Sequence, residues 1–257
     1  MDIGHSRMTD TILRFISDEK KYEMACFIDE ALNKNYLEIN NQEQLKNIFE
    51  ENVSEFLNNV TPDELLDLRT YTGYYFKNIN AVLRNTWNYE ENGRLTEEEI
   101  KKYRILSDNI SSILNKFPSP NYNFTTYRGT TIDSFSKYGI TSVGELEKLK
   151  GKYMYEQGFT STSVIEDTCY FDKELDTGKN YNVEIRYLIT PEYDEGALLL
   201  NSDMSYSVNQ NEYLINKGSL SKVIDVEINN ELNQAILTVI IIPRKKWDIV
   251  KEEHKVK

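Results

Sequence analysis

Helical periodicity through the first 120 residues, short alternating segments after them, and no internal repeat or low-complexity linker predict an α+β domain. Helices come first and pack on a β-core assembled later in the chain. At 257 residues the chain is long enough to bury a full core, and it fits one domain with a helical extension.

The elements follow in order. Met24, Phe27, Ile28, Ala31 and Leu32 recur at helical spacing, as do Leu45, Ile48, Phe49, Val53, Phe56 and Leu57. TPDE at 61–64 reads as a helix start: Thr61 caps, Pro62 occupies the first turn and Glu64 reaches back. TEEE at 96–99 repeats that logic ahead of a stripe from Tyr103 through Ile110 to Phe117, and PSP at 118–120 stops the helix. In YNVEIRYLIT, Val183, Ile185, Tyr187 and Ile189 face one way while Glu184 and Arg186 face the other. Further strands are predicted at 124–128, 196–200, 211–216, 222–228 and 235–242. The last, AILTVIII, is apolar enough to be central and covered on both faces. One helix is predicted between the strands, from Ser142 to Tyr155, with Ser142 and Glu145 as a capping box.

Composition narrows the function classes. A net charge of −12 disfavours a broad grip on phosphate backbones, which comes from Lys and Arg, although it leaves room for a local basic pocket. Two cysteines, Cys26 and Cys169, and two histidines, His5 and His254, are too few for a zinc site or a Cys–His nucleophile, so two buried thiols and no metal are expected. Eighteen tyrosines predict many half-buried, contact-making rings. No apolar run approaches the roughly 18 residues of a membrane span, so no membrane partner is expected. MDIGHSRMTD has no basic segment leading into an apolar stretch. The expected location is therefore the cytoplasm where the chain is made, or outside it by secretion or injection without a visible signal peptide.

Three short stretches carry the chemistry. TTYRGT at 125–130 puts Arg128 at a strand end before Gly129. GFTSTS at 158–163 starts a hydroxyl-rich strand. VNQNE at 208–212 holds Gln210 and Glu212 two apart, which strand alternation would place on one face. Singly, each has an ordinary reading: a turn, an edge strand, a solvated face. In this order they resemble the clostridial type of mono-ADP-ribosyltransferase toxins, which share an Arg–Ser–Glu core, and in particular the Gln-x-Glu subgroup. LRTYTGYYFKNINAVLR at 68–84 looks like the family's helix with its YT…IN..LR pattern. GALLLN with NQNEYLINKGSLSKV looks like its strand, acceptor loop, catalytic strand and turn. The likeness spans roughly residues 60–245.

That resemblance implies a fold with N-terminal helices on a two-sheet β-core, a helical extension over 1–60 and a catalytic domain over 61–257. It implies NAD as substrate, split at the nicotinamide–ribose bond, with ADP-ribose passed to an acceptor and no metal used. Glu212 would stabilise the oxocarbenium ion beside the ribose 2′-hydroxyl. Ser161 would fix the Glu212 rotamer, and Arg128 and Arg84 would meet the phosphates. Asn80 would join the cofactor contacts, Gly129 would let the backbone approach the nicotinamide amide, and Phe171 would lie on the nicotinamide side. Gln210 and Tyr206 would face the acceptor. A glutamine there suits a neutral amide on a protein; a nucleobase in RNA or DNA is the alternative, and a non-catalytic binding module on the same fold a distant third. NAD hydrolysis is the expected side reaction, and an inhibitory partner or antitoxin a further expected binder.

Overall fold

The computed structural model describes residues 4–86, 95–169, 171, 181–199, 204–205 and 211–247, with side chains omitted at 4–8 and 74. Helices lead: α1 (Gly4–Phe15), α2 (Asp18–Leu32), α3 (Gln42–Asn59), α4 (Pro62–Thr70), α5 (Phe76–Leu83) and α6 (Glu97–Leu114). Two of the three predicted capping boxes form. The Thr61 hydroxyl accepts the Glu64 N–H while the Glu64 carboxylate accepts the Thr61 N–H, and Thr96 with Glu99 does the same. The stretch joining α4 to α5 does not break: Tyr71–Tyr75 continues as one π-helical turn, a form that recurs at functional sites.

The strands are β1 (Phe124–Thr130), β2 (Tyr153–Glu156), β3 (Thr160–Ser163), β4 (Val183–Ile189), β5 (Gly196–Leu199), β6 (Glu212–Ile215), β7 (Ser219–Asn229) and β8 (Gln234–Ile242), followed by the short α7 (Arg244–Trp247). Their order across the sheet is β2-β7-β8-β4-β1-β3-β6-β5. β8 is interior, between β7 and β4, as its apolar run predicts, but cover on both faces is reached only over Val239–Ile242, since Ile236 and Thr238 are half-buried. The two-part β-core is visible in the register. A five-strand block ending in β1 meets a three-strand block beginning with β3 through a single pair, Tyr127 with Ser163. Beyond that pair the blocks part.

The larger core lies under α3–α6, where Phe49, Phe124 and Tyr213 make successive edge contacts at 5.2 Å. A smaller one joins α2 to Leu220, Ile240, Ile242 and Trp247. Among the described residues no helix is long and apolar enough to cross a membrane.

Two expectations need correction. The helix predicted from Ser142 to Tyr155 is a 3-10 helix over Val143–Leu149, and 153–155 belong to β2. Val143, Leu146 and Leu149 are the buried positions, a spacing of three that suits the tighter helix, and Gly151 at φ +76° turns the chain out of it. Ser142 makes no side-chain cap; Glu145 reaches instead to the N–H and hydroxyl of Thr141. The second concerns the thiols: Cys169 is buried, but Cys26 is only half-buried.

Candidate active site

The parting of the sheet blocks opens a cleft. After Tyr127, β1 carries on with Arg128 and Gly129 while β3 diverges, and Arg128 Nη1 crosses the gap to donate to the Ser161 carbonyl at 2.7 Å. The resulting cavity, about 550 Å³, is floored by the strands and walled by α5 and the π turn. Arg84, Asn80, Arg128, Gly129, Ser161 and Glu212 all line it.

Glu212 opens β6 opposite Ser163, and it is 5% exposed. Burial raises its carboxyl above the ordinary carboxylate range, against the opposing pull of the Ser161 hydroxyl, the Arg128 charge and the Ser205 hydroxyl. Ser161 therefore meets Glu212 through its side chain while its carbonyl holds Arg128, so one residue ties the carboxylate to the guanidinium.

Arg84 caps α5. The left-handed Asn85 (φ +57°) ends that helix, and the Thr86 N–H returns to the Ala81 carbonyl at 2.8 Å, which turns Arg84 toward the sheet. Its Nε is committed to Glu156 at 2.8 Å, and Lys137 meets the other oxygen of Glu156 at 3.3 Å. Burial works against the Glu156 charge, but Arg84, Lys137 and the Gly158 N–H hold its carboxyl down to about 2. Glu156 escaped the sequence reading. The signal for it was physical: a half-buried Arg beside a cleft needs a carboxylate to fix its fork.

Asn80 lines the cleft as a strut. Its Oδ1 accepts the Phe159 N–H at 2.9 Å and its Nδ2 donates to the Tyr71 hydroxyl at 3.1 Å, while the Tyr71 and Phe159 rings meet edge-on at 5.1 Å. Both ends of the amide are thus in use inside the protein. Phe171 is half-buried and does not line the cleft. Gln210 and Tyr206 lie outside the described residues. The strand predicted over 211–216 runs only Glu212–Ile215, because Asn211 is left-handed at φ +49°. Sequence reasoning also missed Ser205, the second hydroxyl on Glu212, and the cleft-lining Thr72, Gly73 and Lys77 from the π turn and the start of α5.

An α+β chain with this strand order and a cleft at the junction of its sheet blocks has the fold of the ADP-ribosyltransferase toxins. C3stau2 from S. aureus, solved with NAD, superposes with a TM-score of 0.63 at 14% identity, covering 82% of this chain and 100% of that one. The C3 exoenzyme of Clostridium limosum gives 0.61 at 16% identity, over 81% and 98%. Plx2a, an ADP-ribosyltransferase toxin from Paenibacillus larvae, gives 0.57 at 21% identity, over 78% and 96%. No curated protein sequence matches the chain. The profile of the ADP-ribosyltransferase exoenzyme family matches residues 41–243, and the chain belongs to that family. Family and fold together make it an NAD-dependent mono-ADP-ribosyltransferase of the toxin class.

Proposed function

We propose that the cleft binds NAD with its reacting ribose at Glu212 and passes ADP-ribose to a non-arginine acceptor, a protein amide side chain of the Asn or Gln type. The observation that carries this reading is the convergence of Glu212, Ser161 and Arg128 in one cavity large enough for a dinucleotide. Arg128 and the Nη pair of Arg84 face the diphosphate, Glu156 holding the second fork in place. The Gly129 backbone takes the nicotinamide amide, and Asn80 completes the cofactor side by shaping the wall.

In the reaction the C1′–N bond breaks and its electron pair leaves with nicotinamide. Positive charge grows on the ribose, where the ionised Glu212, accepting the 2′-hydroxyl, stabilises it. An acceptor nitrogen then bonds to C1′ and loses its proton. Gln210 orients a neutral acceptor and Tyr206 contacts it; a carboxylate at 210 would instead suit a guanidinium. Water in place of the acceptor gives NAD hydrolysis as a side reaction. The Gln-x-Glu pairing supports membership of the subgroup that modifies uncharged acceptors. The catalytic unit of 61–257 rests on the extension of 1–60 through α3, whose Leu45, Phe49 and Phe56 enter the larger core. Among proteins of this fold Vis was solved in complex with agmatine, a guanidine, so acceptor class is a property to be tested for each chain.

Labelled NAD added with the protein to a cell lysate is expected to label a discrete protein band. Label that is lost on nuclease treatment would move the acceptor to RNA or DNA. Gln210→Ala is expected to cut transfer at least about tenfold while leaving NAD hydrolysis within about twofold. Equal loss of both would end the assignment of Gln210 to the acceptor.

A further inference from the structure

The residue that immediately precedes Glu212 is held from an unexpected direction. Asn211 is 1% exposed and left-handed at φ +49°, a conformation that Asn tolerates better than most residues and that turns the chain abruptly into β6. Its carbonyl accepts the Val164 N–H at 3.0 Å, which fastens it to the end of β3. Its side-chain Oδ1 accepts the Gln42 Nε2 at 2.5 Å across 169 residues of sequence. The Asn211 Nδ2 is buried with no hydrogen-bond partner among the described residues.

Gln42 is the first residue of α3, and the turn that carries it is itself fixed. The Asn41 side chain accepts the Gln44 N–H at 2.9 Å, and the Gln44 side chain accepts the Asn40 N–H at 3.0 Å. The Leu37 segment leading into that turn bonds on both sides of Phe124 in β1, through the Asn123 carbonyl at 2.9 Å and the Thr125 N–H at 3.1 Å. A rigid path therefore runs from β1 through the start of α3 to the backbone beside the carboxylate.

We propose that Gln42 and Asn211 form a clamp that positions Glu212, so that the start of α3 sets the aim of the carboxylate in the cleft. Gln42 is a positioning residue: it touches neither substrate nor Glu212, and acts through the one backbone corner that directs it. The inference builds on the assignment of Glu212 to the reacting ribose, and its test separates the two.

Gln42 is exposed, so Gln42→Ala is expected to fold. The Glu212 carboxyl is followed by carbon-13 NMR titration in the parent and in Gln42→Ala, Asn211→Gly and the double variant, with kcat and KM for NAD hydrolysis and Tm measured beside it. Asn211→Gly keeps access to the left-handed backbone while removing the amide. In Gln42→Ala the Glu212 titration is expected to fall toward the ordinary carboxylate range as the corner loosens and water reaches it, with kcat lower by about threefold to tenfold and KM within about twofold. Asn211→Gly is expected to lose at least as much, and the double variant no more than Asn211→Gly alone. A lower Tm with kcat and the Glu212 titration unchanged would reduce the contact to packing and overturn the clamp, as would losses that simply add. If the parent hydrolyses no NAD, the functional assignment falls, and the titration still decides whether the clamp exists.

Discussion

Glu212 lines the cleft and Glu156 braces the Arg84 in its wall, and their surroundings push the two carboxylates in opposite directions. Glu156 lies between Arg84 and Lys137 and is held down to about 2. A depressed carboxylate contributes stability above its ordinary range and loses it as pH falls toward that value. Glu156→Ala leaves two half-buried cations unpaired, so chemical denaturation near pH 7 is expected to show a loss of about 2–3 kcal/mol that shrinks toward pH 2. Glu212 is the reverse case. Burial raises it, so its charged form is disfavoured in the folded chain and stability declines as pH rises through its titration. A group kept this dry at neutral pH marks a site where function outweighs stability. How much of this was legible differs by residue. Arg128, Ser161 and Glu212 were readable because each stands in a short motif with fixed neighbours. Glu156 and Asn211 were not: one is defined by a partner 72 residues away, the other by a backbone angle that one residue of sequence cannot announce.

At the scale of elements, the helix starts were legible because capping uses adjacent residues whose chemistry is local. The 3-10 stretch over Val143–Leu149 was not, since a buried spacing of three and a spacing of 3.6 diverge little over seven residues. The π turn at Tyr71–Tyr75 was hidden for the same reason, yet it brings Thr72 and Gly73 to the cleft wall beside Lys77 of α5. Packing of α5 against the turn before β3 is equally exacting. A Cβ at Gly158 would come within 2.6 Å of Asn80 Oδ1 and 3.2 Å of Arg84 Nε. Gly158→Ala must therefore displace the Asn80 amide, by itself or with α5, and disturb the Asn80 strut and the Arg84 fork together. Its expected loss of stability is about 1–3 kcal/mol, with a raised KM for NAD in steady-state hydrolysis. Parent-like values for both would show that α5 yields freely.

The whole molecule is acidic, with a net charge of −12, yet its cleft gathers Arg84, Arg128 and Lys77. A local cationic pocket in an acidic body suits a small anionic substrate better than a long polyanion. The architecture was legible at this scale because two sheet blocks and a helical lead impose different sequence periods; their joint at Tyr127 and Ser163 was not, since one residue pair leaves no pattern. The proposed chemistry rests on that joint, where the blocks part and Glu212 and Arg128 line one cleft. The decisive measurement is nicotinamide release from NAD by the purified chain and by Glu212→Gln, followed across pH. The parent is expected to release nicotinamide with a rate that rises as Glu212 ionises, above the ordinary carboxylate range. Glu212→Gln is expected to fall by at least about a hundredfold, with the pH rise gone, NAD still bound and Tm no lower than the parent's. Equal release by both proteins, or a parent that neither binds nor splits NAD, would contradict the assignment of this cleft.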